Sequence, residues 1–210
     1  MVRQSSFGIC QLCGVRKGKA AMMVHLRQCL PASAGGRSVE PAMLLRVQPG
    51  RDPAFWLTVA AGREARLGRL DSLLRKEWLE CCDHLSEFYT AGRRRVSMNS
   101  RMAQVFASIG DRLNYVYDFG SSTELVISFA GLAEGTSEKP VLVARNEPQV
   151  WPCDVCKLPA ASICSECGYS GAGFFCTQHG VEHECGEEML LPVVNSPRMG
   201  VCGYTGPMES

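Results

Sequence analysis

The chain has 210 residues, of which 46% are hydrophobic and 20% charged, which is enough for one core of roughly 100–150 residues with small appendages. This composition argues against wholesale disorder, and no apolar run approaches the ~20 residues that a bilayer requires. The first six residues lack the apolar stretch of a secretory signal, so we expect a cytoplasmic protein whose 12 cysteines are not paired in disulfides.

The net charge of +1 hides an uneven distribution of charge along the chain. Residues 1–37 contain six basic residues and no acidic residue, whereas residues 150–210 contain two basic and seven acidic residues. The middle of the chain is balanced. We therefore expect the two ends to contact different partners.

Four metal donors near the beginning of the chain have the spacing of a zinc finger. Cys10 and Cys13 are separated by two residues, as in a knuckle that turns both sulfurs toward one point. On a helix, His25 and Cys29 would lie one turn apart on the same face and complete a tetrahedron. Buried free thiols or a redox-active pair are alternatives, but neither explains the histidine.

The segment around these donors resembles a single C2H2-type finger whose last ligand is a cysteine. Its helix is predicted from about Lys19 to Cys29, with Leu30-Pro31 ending it. The base-reading positions that this resemblance implies are Gly18, Ala21 and Val24. None of these side chains can make a bidentate contact with a base edge, so sequence-specific reading of a duplex is not expected.

Basic residues around the predicted helix favour contacts with phosphates, which give affinity without sequence information. They are Arg16, Lys17, Lys19 and Arg27. We expect this finger to bind a nucleic-acid backbone, in RNA or a ribonucleoprotein, or an acidic protein face. The alternative is that the finger only packs on the central domain and leaves its charges in solvent.

The middle of the chain predicts an α+β core with an antiparallel sheet and a packed helix. Residues 31–41 are expected to form a linker. Strands are predicted at Met43–Val47, Phe55–Val59 and Val141–Ala144. An amphipathic helix follows from the spacing of Leu67, Leu70, Leu74 and Trp78. Two alternating segments, 113–119 and 125–129, predict a hairpin that turns at Gly120-Ser121-Ser122.

Three motifs in this region resemble the Ri-plasmid third-open-reading-frame family, whose members are also labelled transposon-passenger TnpR-like. They are Trp78 at the end of the helix, His84-Leu85-Ser86-Glu87-Phe88, and Tyr117-Asp118-Phe119-Gly120. The resemblance covers about residues 41–146. It implies a prokaryotic, plasmid- or transposon-associated protein with an α+β fold and no established reaction.

The chain departs from that family at polar positions. Ser86 replaces the second His of the family's His-Leu-His-Glu-Phe strand, and Ser121 replaces the Asp that ends its Tyr-Asp-Phe-Gly-Asp hairpin. These departures make any acid–base or metal site of the family incomplete here. The alternative function is an enzyme of unknown reaction that uses His84, Glu87 and Asp118.

The end of the chain contains eight further donors, in pairs whose spacing also suits zinc. They are Cys153, Cys156, Cys164, Cys167, Cys176, His179, His183 and Cys185. The arrangement resembles a cross-brace module, with features of AN-one-type, HIT-type and B-box fingers, in which alternate pairs share a metal. That resemblance implies one zinc on Cys153, Cys156, Cys176 and His179, and a second on Cys164, Cys167, His183 and Cys185.

These patterns predict a non-enzymatic, zinc-binding adaptor with three Zn²⁺ per chain and no membrane contact. Its basic front end would contact nucleic acid and its acidic module a protein. The predicted domains are a C2HC finger in residues 1–30, the linker 31–41, the α+β domain 42–149, the cross-brace module 150–188 and an extension 189–210. Cys81, Cys82, His84 and Cys202 are left without a predicted metal.

Overall fold

The computed structural model describes residues 6–33, 41–50, 52–135 and 139–207. It divides into two compact units. The sheet unit comprises the described residues of 1–74 and 85–147, and the cysteine-rich unit comprises those of 75–84 and 148–210. The architecture is mostly antiparallel sheet with a few helices, which agrees with the predicted α+β class.

A nine-stranded, fully antiparallel sheet forms the frame of the sheet unit, in the order β2-β1-β9-β4-β3-β8-β7-β5-β6. Its strands are β1 (Phe7–Cys10), β2 (Arg16–Gly18), β3 (Ala42–Pro49), β4 (Leu57–Ala61), β5 (Ser86–Tyr89), β6 (Arg95–Val96), β7 (Arg112–Tyr117), β8 (Thr123–Ala133) and β9 (Val141–Asn146). In β8 every second side chain is buried, which is the period-2 pattern of a strand with one face on the core.

Three helices accompany this sheet: α1 (Lys19–Ser33), α2 (Leu67–Leu74) and α3 (Met102–Val105). The helix α1 extends through Pro31 and does not end before it, so the proline occupies its last turn. The predicted helix over residues 67–78 is α-helical only to Leu74 and continues as a π-helical turn, Arg75–Leu79. Leu67, Leu70 and Leu74 are buried, as their spacing predicts.

The predicted strands and the hairpin are present. β7 and β8 pair in register from Arg112↔Ser128 to Tyr117↔Thr123. The strand predicted at 55–59 begins two residues later, because the Trp56 amide donates to the side-chain oxygen of Asn146 in β9 (2.9 Å) and not to a backbone carbonyl of that strand.

The front segment is part of the sheet and not a free-standing finger. β1 pairs with β9, and α1 buries Met22 and Leu26 in the same cluster as Trp56 and Val143. Burial of each large apolar side chain contributes about 1.5–3 kcal/mol. Gly8 is required in β1 because a Cβ there would overlap the Trp56 ring and the Arg145 carbonyl. The front segment therefore packs on the central sheet, and its contact with nucleic acid stays a prediction.

The cysteine-rich unit contains little regular structure. A three-stranded sheet of order β11-β10-β12 is formed by β10 (Ser162–Cys164), β11 (Phe174–Phe175) and β12 (Leu190–Pro192), and α4 spans Thr177–Val181. Short 3₁₀ turns lie at Cys167–Ser170 and Glu187–Met189. The π-helical turn Arg75–Leu79 also belongs to this unit.

Candidate metal centres

The described residues contain four groups of Cys and His donors, and the donor atoms within each group lie within 4.8 Å of one another. The front cluster is Cys10, Cys13, His25 and Cys29. The first brace cluster is Cys153, Cys156, Cys176 and His179, and the second brace cluster is Cys164, Cys167, His183 and Cys185. The fourth cluster is Cys81, Cys82, His84 and Cys202. Three of these groups are the sets that the sequence predicts, and the fourth is not.

Distances within the clusters fit a tetrahedral zinc ion. Zn–S bonds of about 2.3 Å and Zn–N bonds of about 2.0 Å place tetrahedral donors about 3.8 Å (S···S) and 3.5 Å (S···N) apart. The sulfurs of Cys10 and Cys29 are 3.9 Å apart, those of Cys156 and Cys176 3.7 Å, and those of Cys167 and Cys185 3.8 Å. None of the twelve cysteines forms a disulfide, and each belongs to one of the four clusters, which is compatible with zinc ligation.

Cys10 and Cys13 of the front cluster are placed by a tight turn between β1 and β2. The Gly14 amide donates to the Cys10 carbonyl (2.9 Å), and the Cys10 amide donates to the Val15 carbonyl (3.0 Å). Gly14 has φ +75°, a conformation that glycine adopts without steric cost. This turn presents both sulfurs to α1, where His25 Nε2 lies 3.3 Å from Cys13 Sγ.

The first brace cluster contains the same turn in a different unit. The Lys157 amide donates to the Cys153 carbonyl (2.9 Å), and the Cys153 amide donates to the Leu158 carbonyl (2.7 Å). Lys157, at the position equivalent to Gly14, has φ +65°. The Asp154 carboxylate accepts from the Gly173 and Phe174 amides (2.6 and 3.0 Å), which fixes the knuckle beside the strand that leads to Cys176.

The partner donors of that cluster come from the start of α4. Cys176 is the N-cap residue of this helix, and His179 lies in its first turn. His179 presents Nδ1, which lies 3.5 Å from Cys153 Sγ and 3.3 Å from Cys176 Sγ. The histidines of the three other clusters, His25, His84 and His183, instead present Nε2 to a cysteine sulfur.

The second brace cluster surrounds the end of β10. Cys164 is buried in that strand and Cys167 begins the following 3₁₀ turn. His183 Nε2 lies 3.5 Å from Cys167 Sγ, and the His183 ring packs on Phe175 with centroids 4.3 Å apart. A Cβ at Gly173 would lie 2.8 Å from the Cys167 Cβ, so only glycine lets these two segments approach.

Backbone amides prepare some of these thiols for metal binding. Burial opposes ionisation of Cys153, yet amide donors from Cys156, Cys176 and Val155 lower its pKa to about 6. Cys164 is similar: burial is outweighed mainly by the Cys167 amide, and its pKa falls to about 7. The thiolate is the form that binds zinc, so these two positions are favourable first ligands.

The fourth cluster joins residues that are far apart in the sequence. His84 Nε2 lies 3.2 Å from Cys202 Sγ across 118 positions. The pKa of Cys82 is raised to about 11. The largest cause is a hydrogen bond with the neighbouring Cys81, and the second is the Coulombic effect of the same residue. The sequence does not predict this cluster, because the adjacent cysteines lack knuckle spacing. The signal that remained was local: two cysteines and a histidine within four residues.

The predicted phosphate-binding residues differ in availability. Lys17 and Arg27 are exposed. The Arg16 guanidinium forms two hydrogen bonds with the Glu147 carboxylate (2.6 and 2.8 Å) and lies 4.0 Å over the Phe7 ring. Lys19 donates to the Pro53 carbonyl (3.2 Å), and burial lowers its pKa to about 8.

Each residue of the enzymatic alternative has a different environment. His84 belongs to the fourth cluster. Glu87 forms an ion pair with Arg95 and lines two open pockets of about 450 and 490 Å³ whose lining includes neither His84 nor Asp118. Asp118 is buried at φ +65° and accepts from the Gly120 amide (2.9 Å), as a turn residue does.

Comparisons with known proteins assign no family. No family model and no curated protein matches the chain. A crystal structure of a protein of unknown function from Methanosarcina mazei Go1 matches with a TM-score of 0.44 and 15% identity, covering 50% of this chain and 69% of that chain. This likeness is too distant to assign a fold or a function, and the resemblance to the Ri-plasmid family stays a prediction. Every helix in the described part of the chain is too short or too polar to span a lipid bilayer.

Proposed function

We propose that this chain is a non-enzymatic adaptor that uses zinc to hold two binding surfaces, one for nucleic-acid phosphates and one for a protein. The observation that carries the proposal is the completeness of the donor groups. Each predicted group contains three cysteines and one histidine within 4.8 Å, which fills a tetrahedral zinc ion and leaves no position for a catalytic water. Such sites stabilise a surface and do not perform chemistry.

The phosphate surface would be formed by the front segment. Lys17 and Arg27 are exposed there, and residues 1–37 contain no acidic side chain to oppose an anion. Arg16 is paired with Glu147, so a phosphate would have to compete with that carboxylate. We therefore expect RNA or a ribonucleoprotein to be bound through few phosphates, with modest affinity and without sequence preference.

The protein surface would be formed by the cysteine-rich unit. Its apolar side chains Val155, Leu158, Tyr169 and Val181 are between 61% and 75% exposed. Each closed site of three thiolates, one neutral His and Zn²⁺ would add a charge of −1 to an already acidic segment. Exposed apolar side chains among acidic residues suit a partner with a basic rim and an apolar centre.

A titration of RNA with the full chain tests the phosphate half. The affinity for RNA should fall as the salt concentration rises from 50 to 200 mM. A double variant, Lys17→Glu with Arg27→Glu, should remove most of this salt dependence. Glu147→Gln should strengthen binding and steepen the salt slope by about one phosphate contact, because it releases Arg16. Lys76→Glu, an exposed charge reversal in the other unit, is the matched control.

Two outcomes would contradict the phosphate half. One is binding that is insensitive to salt, and the other is an equal loss in the Lys76→Glu control. Affinity capture of partners on the full chain, with nuclease and with raised salt, separates the two halves. A protein that stays bound after both treatments supports the protein surface, and recovery of no partner under any condition argues against it.

A further inference from the structure

We propose that Cys81, Cys82, His84 and Cys202 form a fourth zinc site, which rests on the proposed zinc chemistry but adds a centre that the sequence does not predict. All four donor atoms lie within 4.8 Å of one another, and all four residues belong to the cysteine-rich unit. The donor set, three cysteines and one histidine, is the same as in the three other clusters. The site would therefore take Zn²⁺ in a closed, tetrahedral form.

Hydrogen bonds hold the loop that carries three of the donors. The Arg75 guanidinium contacts Glu80 (2.8 Å) and Asp83 (3.1 Å) and donates to the His84 carbonyl (2.5 Å). The Asp83 amide donates to the Glu80 carboxylate (2.6 Å). Asp83 has φ +55°, so the chain reverses direction between Cys82 and His84. This reversal turns adjacent cysteines and the histidine toward one point.

The fourth donor is brought in by the segment that precedes it. Ser196, which is fully buried, donates its hydroxyl to the Trp78 carbonyl (2.6 Å) and accepts from the Arg198 amide (2.9 Å). Arg198 lies four residues before Cys202, so these hydrogen bonds hold the chain that leads to Cys202 beside the π-helical turn Arg75–Leu79. Cys202 itself has φ +51°, where a cysteine is held at a steric cost that glycine would not have.

A buried guanidinium lies against this cluster. Arg198 is 0% exposed, and its Nε donates to Cys81 Sγ at 3.4 Å. Three thiolates, one neutral His and Zn²⁺ sum to −1, which the arginine would neutralise. Binding then exchanges protons for the ion: Zn²⁺ replaces the protons of up to three thiols, and no electron is transferred. A disulfide between two of these cysteines is the competing chemistry, and it would remove two of the three thiolates that the zinc site needs.

Metal counting by native mass spectrometry of the full chain tests this site. The wild type, prepared with reductant and zinc, should carry four Zn²⁺, and Cys202→Ser should carry three. Thr205→Ala, an exposed substitution three residues away, should keep four. A wild type with three ions that Cys202→Ser leaves unchanged would overturn the fourth site while the proposed function stands. A wild type with no zinc would overturn both.

Two further variants separate ligation from folding. In zinc-loaded protein, Cys202→Gly should melt at a lower temperature than the wild type even though glycine relieves the left-handed backbone, and after chelation the two proteins should melt at the same temperature. Arg198→Met should weaken zinc at one of four sites by 10–100-fold, with partial rescue by Arg198→Lys, because it removes a donor that orients a ligand. If Cys202→Gly has the same effect with and without zinc, or if Arg198→Met leaves all four zinc affinities unchanged, the assignment is wrong.

Discussion

The two units of this chain use different means to hold their metal donors. Of forty buried hydrophobic residues among those described, seven lie in the cysteine-rich unit, and two of these seven are the cluster cysteines Cys153 and Cys164. The sheet unit has a nine-stranded frame, whereas the longest strands of the other unit have three residues. The front cluster thus lies on an existing hydrophobic core, whereas in the cysteine-rich unit the brace clusters take the place of such a core.

Metal removal should give the largest difference between the units. Structural zinc contributes about 10–16 kcal/mol of apparent binding energy in small fingers, which exceeds what a few buried side chains provide. We expect a chelator to unfold residues 148–207 and to leave the strands of the sheet unit folded. Hydrogen exchange resolved by peptide measures this: amides of β10 to β12 should lose protection, and those of β3 and β8 should keep it.

The same experiment has an internal control in the front cluster. Its donors sit on β1, the β1–β2 turn and α1, which are anchored by β9 and by the apolar cluster around Trp56. Chelation should therefore loosen the Cys10–Cys13 turn without releasing α1. Simultaneous loss of protection in both units would show that the sheet unit also depends on zinc.

A core substitution should have the opposite pattern. Leu26→Ala removes a side chain that is 0% exposed in α1, one position from the ligand His25. Such truncations cost about 2–5 kcal/mol. We expect denaturant unfolding of the sheet unit to shift by that amount while the brace clusters keep both metals. Cys29→Ser is the matched comparison: it should lose one zinc and cost the sheet unit less than Leu26→Ala does.

The equivalent turns of the front cluster and the first brace cluster allow a test in which smaller changes in stability are expected. Gly14 and Lys157 occupy equivalent turns with φ +75° and +65°, but only one of them is glycine. Gly14→Ala should destabilise the sheet unit by about 1 kcal/mol, since a Cβ is disfavoured in this conformation. Lys157→Gly should stabilise the cysteine-rich unit by less than about 1 kcal/mol, because relief of strain is offset by the entropy of glycine.

Thermal unfolding of the zinc-loaded variants measures whether each substitution raises or lowers stability. Gly110→Ala, another exposed glycine with positive φ, at +102°, separates the general cost of a side chain in this region from any effect on the knuckle. Equal effects of Gly14→Ala on zinc-loaded and chelated protein would mean that the turn does not contribute to the metal site.

The limits of prediction from sequence follow from the distance between contacting residues. The first three clusters could be predicted because their donors lie in short segments with regular spacing. Cys202 could not, since it approaches His84 across 118 positions with no motif around it. The ion pair of Arg16 with Glu147 spans 131 positions and changes the predicted phosphate surface. Likewise, nothing local in Phe7–Cys10 indicates that this strand pairs with β9.

The smallest expected effect concerns Lys19, which lies where the front segment meets the sheet. Burial lowers its pKa from 10.5 to about 8, with a further contribution from Arg46. Below pH 8 the lysine is charged in both the folded and unfolded states, and its burial costs stability. Between pH 8 and 10.5 the folded state releases the proton first, so the lysine's contribution to stability increases as the pH rises. Lys19→Met should remove this increase, and urea unfolding of both proteins at pH 7 and pH 9.5 measures it. A Lys17→Met control, which alters an exposed lysine, should behave as the wild type does. If Lys19→Met and the wild type gain equally between the two pH values, Lys19 is not the group that titrates.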